Sequence, residues 1–202
     1  MQKRVYQQKK KFKEMRYPKV ICLIGTNGTG KSTIQKSFFK FRERNLVVPA
    51  NLYDSAFDEL EYIKDQGEIR NFNGTKKIVI EEETDFIELI DYKNGLKDCG
   101  LFLDDFRNYI PATGPKLRQP IRKLFSDRRH RGIDIYLSTH SPRQIHPDIF
   151  SYNPTIFLFK TTEAFPDSLA QKIPNLEKLR IGQRRVNLLS KKNPFYFEII
   201  KE

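Results

Sequence analysis

Cysteine is nearly absent: Cys22 and Cys99 are the two in 202 residues. That excludes a disulfide framework and leaves too few thiols for a zinc knuckle, so both read as reduced packing residues of a cytosolic protein. Long apolar runs are missing too. None approaches the ~18 residues that crossing a bilayer requires, and the basic N-terminus has no apolar segment of the secretory kind, so it is expected to stay with the mature chain. There is no internal repeat and no low-complexity block. Acidic residues are scarce beside basic ones: 25 Asp and Glu against 37 Lys and Arg give a formal net charge of +12. This balance favours an anionic partner, nucleic acid first and a membrane surface second, although a solvated basic surface without a dedicated partner has the same composition. The length suits one well-cored α/β domain and is too short for two.

What is present is concentrated in residues 18–33. An apolar run, Val20–Ile24, has the pattern of a buried parallel strand, and the glycine-rich turn after it leads through Gly30, Lys31 and Ser32 into a helix. Gly25, Gly28 and Gly30 let the backbone curl so that successive N–H groups and the helix N-terminus face polyphosphate oxygens, while Lys31 adds positive charge. The Ser32 hydroxyl would serve the Mg²⁺ that accompanies a nucleotide. The expected cradle is therefore Gly25, Thr26, Asn27, Gly28, Thr29, Gly30, Lys31, Ser32 and Thr33.

Residues 1–17 form a basic arm with interleaved aromatics, read either as a nucleic-acid or partner contact or as a solvated terminus. Residues 18–202 are expected to be one domain. A helix over 31–44 follows the phosphate loop, with Ile34, Phe38 and Phe41 on one face. A strand is expected at 46–50, a helix at 53–64, a strand at 76–82, and a helix from Thr84 closed by Asn94 and Gly95. The acids at 81–83 and Asp85 fit the first turn of that helix better than a metal site. At 99–106 an apolar strand ends in two carboxylates. Asp104 can hold Mg²⁺ through water, and Asp105 can orient or deprotonate an attacking water.

Residues 107–120, rich in proline, glycine and basic residues, read as an exposed loop carrying Arg107, Lys116 and Arg118. A helix over 119–131 should bury Ile121, Leu124 and Phe125 and end strongly positive. The next strand, 133–137, terminates in Ser138, Thr139 and His140, polar groups able to reach a γ-phosphate at a third strand tip. Further strands are expected at 155–160, 180–189 and 195–200, the last two as a hairpin, with a short helix within 165–179. His130, His140 and His146 have no cysteine or acidic cluster at ligand spacing, which speaks against zinc.

Together, the phosphate loop, the strand Leu101-Phe102-Leu103-Asp104-Asp105 and the stretch from Arg128-Arg129-His130-Arg131-Gly132 to Thr139-His140 resemble the FtsK/HerA superfamily of DNA-pumping ATPases. Within it the chain looks most like the genome-packaging ATPases of membrane-containing viruses, with zonula occludens toxin-like phage assembly ATPases as near neighbours. The resemblance covers most of residues 18–200, with Ile181-Gly182-Gln183-Arg184 and Pro194-Phe195-Tyr196-Phe197 in the place of a closing hairpin. It implies a P-loop NTPase fold, α/β, with a mainly parallel sheet sandwiched by helices. It also implies ATP and Mg²⁺ as cofactors, non-specific double-stranded DNA as partner, with the loop of Arg107, Lys116 and Arg118 the first choice for its phosphates, a hexameric ring, and a membrane or capsid portal component beside it. Arg129 would be a finger reaching the neighbouring subunit's nucleotide. The family usually has Glu where Asp105 stands and Gln where His140 stands, and a histidine there would make phosphate sensing depend on pH. Localisation is expected to be cytoplasmic, or host cytoplasm and virion. From the residues alone, a small nucleoside or polynucleotide kinase and a nucleotide-dependent DNA or membrane adaptor remain open readings.

Overall fold

The computed structural model describes residues 18–51, 54–80, 82–91, 96–114, 116–173 and 175–201; the basic arm over 1–17 lies outside them. The described residues form one sheet in the order β3 (Glu61–Tyr62), β4 (Gly74–Lys77), β2 (Arg44–Val48), β5 (Gly100–Leu103), β6 (Asp134–Thr139), β1 (Val20–Ile24), β7 (Thr155–Leu158) and β8 (Glu198–Ile200). Every pair is parallel except β7 with β8. The inner strands are buried on both faces, hence the apolar runs of β1 and β5 and of Ile135, Tyr136 and Leu137 within β6. Pairing of Leu103 with Leu137 and of Ile24 with Thr139 aligns the carboxyl ends of β5, β6 and β1 along one edge.

One face of the sheet carries Ile21, Leu23, Val47, Phe102, Tyr136 and Phe157. Here Phe102 and Tyr136 stack with centroids 4.1 Å apart. Helix α1 (Lys31–Ser37) covers this face, but it stops well short of residue 44. The expected helix gives way to a 3₁₀ turn at Phe39–Phe41 because its aromatics dock separately: Phe38 lies 5.1 Å from Tyr136, and Phe39 meets Phe102 edge-on at 4.9 Å. Tertiary packing overrides the helical period there. The opposite face buries Cys22, Ile24, Leu101, Leu103, Ile135 and Leu137 under α2 (Glu83–Ile90), α3 (Gln119–Arg131) and α4 (Leu176–Leu189). Burial pushes the Cys22 and Cys99 thiols up to about 12, which keeps them unreactive.

An antiparallel pair is present at the C-terminus, as the expected hairpin requires, but β8 pairs with β7 and not with residues 180–189. Residues 180–189, expected as a strand, belong instead to α4. The buried positions of that helix, Leu176, Leu179, Gly182, Gln183 and Val186, recur at helical spacing, whereas Ile181 and Leu188 lie on the solvent face. Residues 54–64, the described part of the helix expected over 53–64, are not a helix either. Asp54 accepts the Ala56 N–H at 3.0 Å and caps a 3₁₀ turn, Ser55–Phe57, and the Phe57 carbonyl is taken by Lys77 Nζ at 3.0 Å. The chain then pairs with β4 as β3. The strand expected at 76–82 is β4, shifted toward the N-terminus, while Ile78 and Ile80 beyond it stay buried.

The positive end of the 119–131 helix is smaller than its sequence suggests. Arg131 is buried and donates to the Leu96 and Ile90 carbonyls at 2.8–3.1 Å, and Arg128 lies buried against the Tyr152 ring. Both arginines fasten the helix to its surroundings. Asp134, wholly buried at the start of β6, accepts the Lys19 N–H and the Arg42 Nε–H, each at 2.8 Å.

Candidate nucleotide site

The aligned strand ends gather the expected site residues around one cavity of about 600 Å³. The phosphate loop is held from beneath by its neighbours: Gly25 N–H donates to the Thr139 carbonyl (3.0 Å) and Thr26 N–H to the Lys160 carbonyl (2.8 Å). A Cβ on Gly25 would lie 2.5 Å from the Phe159 Cβ, so only glycine lets β1 and β7 approach this closely. Gly30 sits at φ +91°, the left-handed region that favours glycine, and its turn starts α1. Of the expected cradle, Asn27, Gly28, Gly30, Lys31, Ser32 and Thr33 line the cavity, while Thr29 is buried with its hydroxyl donating to the Thr26 carbonyl at 2.8 Å.

Lys31 folds back over the loop and donates to the Gly25 and Thr26 carbonyls at 2.7 and 3.0 Å. Burial pushes its pKa below the usual lysine value, and the carboxylates of Asp104 and Asp105 oppose that shift. Asp104 follows β5 directly. Its carboxyl is pushed up to about 6, mainly by burial and further by a hydrogen-bonded second carboxyl, that of Asp54; the Ser138 hydroxyl, which donates to Asp104 Oδ1, and Lys31 pull it down.

Asp105 takes a left-handed turn at φ +40°, which swings its side chain from β5 toward β6. Its N–H donates to Ser138 Oγ at 3.3 Å. Its Oδ2 accepts from Arg107 Nε at 3.1 Å and lies 3.5 Å from His140 Nε2. Its Oδ1 is buried without a partner among the described residues. The residue lines the cavity, where a carboxylate can take a proton from water. His140 is held below the usual histidine range by burial first and then by the charges of Lys31 and Arg107, against the pull of Asp105. Near neutral pH its ring is uncharged.

The donor set fits Mg²⁺. Ser32, Asp104 and Asp54 bring hard oxygen ligands to one cavity, and the Asp54–Asp104 pair shares a hydrogen bond that a cation would replace. No group of three or more His, Cys, Asp or Glu among the described residues is arranged to hold a metal by itself. Magnesium bound with a triphosphate needs only one or two carboxylates.

Arg129 is not part of this cavity. It is exposed in the last turn of α3, beside the start of β6, so the six-residue length of that strand, ~20 Å, separates it from the strand tips. Arg107, expected as a DNA contact, pairs with Asp105, and Arg118 pairs with Glu83 at 3.0 Å. Sequence reading missed Asp54, because the residues around it carry a helix-like apolar pattern. It also passed over Phe195, which lines the cavity mouth.

The fold can be compared with solved structures. The genome packaging NTPase B204 from Sulfolobus turreted icosahedral virus 2, in complex with AMP, superposes with a TM-score of 0.70 at 17% identity, covering 93% of this chain and 94% of that one. The same protein in complex with ATP-gammaS gives 0.66 at 17% identity, with 93% of each chain covered. B204, the DNA-packaging ATPase from Sulfolobus turreted icosahedral virus, gives 0.67 at 17% identity over 92% of this chain and 94% of that one. The chain has the P-loop NTPase fold. No family model matches the sequence, and no curated protein does.

Proposed function

We propose that this protein is an ATP-hydrolysing motor that moves double-stranded DNA, in viral genome packaging, and works as a ring in host cytoplasm and virion. The observation that carries the reading is the convergence of Lys31, Asp104, Asp105 and His140 on one cavity at the strand tips. Similarity in fold to a packaging NTPase described with AMP and ATP-gammaS supports it.

Lys31 would exchange its two loop carbonyls for phosphate oxygens, keeping its charge solvated by anions as the cavity fills. Ser32 and Asp104 would hold Mg²⁺, which when bound offsets the negative charge of the phosphates. Asp105 accepts a proton from the attacking water, while Arg107 holds its Oδ2. His140, uncharged, is poised to donate to the terminal phosphate. Arg129, distant from its own chain's cavity, reaches a nucleotide only across a subunit boundary, as a finger in trans would. Exposed basic residues such as Lys116 and Arg122 supply phosphate contacts that read no bases, as movement along any sequence requires.

The test is ATP turnover with duplexes of increasing length, with the mass of the nucleotide-bound assembly measured alongside. Turnover should rise with duplex length, and Lys31→Ala should abolish it. Arg129→Ala should bind nucleotide without hydrolysing it, and mixing it with Lys31→Ala should restore activity. Turnover indifferent to DNA would remove the motor, and a phosphorylated small-molecule product would point to a kinase.

A further inference from the structure

We propose that Phe195 is the platform on which the nucleobase stacks, an assignment that rests on the nucleotide reading above and adds the subsite for the base. Phe195 is 61% exposed. Its neighbours are committed elsewhere. Phe197 packs on Phe157 and Phe159 with centroids 5.8 and 5.1 Å away, and the Tyr196 hydroxyl donates to Glu198 Oε1 at 3.2 Å. Phe195 alone of the three lines the cavity that holds Lys31 and Ser32.

Its position relative to the phosphate loop is close. The ring edge leans over Gly30, where its Cδ1 would lie 3.4 Å from a Cβ at that position, so the glycine leaves the ring face clear beside the start of α1. The backbone is fixed in advance. Asn193 accepts the Phe195 N–H on its side-chain oxygen at 3.1 Å and the Tyr196 N–H on its carbonyl at 2.9 Å, a turn that presents the ring without further ordering of the chain. The cavity, about 600 Å³, falls in the range of pockets that enclose a whole drug-sized ligand. A triphosphate bound at Gly28–Ser32 would leave its sugar and base nearest the aromatic rim, and an exposed π-face offers any nucleobase a stacking surface.

The experiment is isothermal titration of wild type, Phe195→Ala and Phe195→Trp with Mg²⁺–ATP and, separately, with Mg²⁺–tripolyphosphate, which lacks the base. Stacking of a base on an aromatic side chain corresponds to about a 5- to 150-fold change in affinity. Phe195→Ala should lose ATP affinity by that factor and keep tripolyphosphate affinity within about twofold, whereas Phe195→Trp should bind ATP as well as wild type or better. In turnover, KM for ATP should rise with kcat retained. An unchanged ATP affinity in Phe195→Ala would overturn the assignment, as would an equal loss for tripolyphosphate, since the ring would then only support the loop. Wild type binding neither ligand would overturn the nucleotide reading itself, and this assignment with it. Because the side chain is mostly exposed, thermal melting of Phe195→Ala should match wild type.

Discussion

Replacing Asp104 by asparagine separates what the carboxylate costs the empty protein from what it does for the filled one. Burial, with Asp54 beside it, lifts this carboxyl from an ordinary 3.8 to about 6. At 1.36 kcal/mol per pH unit the displacement corresponds to about 3 kcal/mol. The folded-state pKa is raised, so the folded protein holds its proton longer than the unfolded chain. Below pH ~4 the group is neutral in both states and carries no penalty; between ~4 and ~6 stability falls, and above ~6 the full cost is present. Asparagine is neutral throughout, and its amide accepts from Ser138 while donating to Asp54. Asp104→Asn should therefore melt higher than wild type at pH 8, by as much as ~6–12 °C for a chain of this size. Near pH 4 the two should coincide. Calorimetric scans at both pH values, without and with Mg²⁺–ATP, make the check. With Mg²⁺–ATP at pH 8 the order should reverse, because wild type alone gains binding energy through the metal. An equal melting difference at pH 4 and pH 8 would refute the reasoning, since the gain would not come from ionisation.

Two further outcomes follow from the same geometry. By proton NMR, His140 should titrate below the ordinary histidine value; Arg107→Ala should move it up by removing a nearby cation, and Asp105→Asn should move it further down. Opposite directions would show that the ring does not face these groups. Gly25→Ala should destabilise the protein by about 1–3 kcal/mol in urea unfolding, because β1 and β7 must part to admit the methyl group; an unchanged midpoint would mean that the loop is loosely held.

The phosphate loop and the carboxylate strand were legible because each follows a local rule: an apolar run, then glycines before Lys31, and an apolar run, then Asp104 and Asp105. The 119–131 helix was legible to the residue, since Pro120 suits its first turn and Gly132 accepts the left-handed stop at φ +68°. Elsewhere the apolar pattern misled. Residues 53–64 have a helical face, yet Lys77 and β4 recruit that backbone for other bonds. Residues 180–189 alternate enough to suggest a strand, because Ile181 and Leu188 remain exposed. Asp54 and Phe195 were hidden for a different reason: they come to the cavity from loops after β2 and α4, and no local pattern records which loops meet.

Among the described residues the sheet ends abruptly on both sides. Its outermost strands, β3 and β8, are two and three residues long, with Glu61 paired to Lys76 on one and Glu198 held by Arg185 on the other. So few open backbone groups, flanked by charge, give another chain little to zip onto. Copies of this protein that meet at high local concentration would therefore join through side-chain surfaces, which can slide and reset. A continuous shared sheet would weld them together.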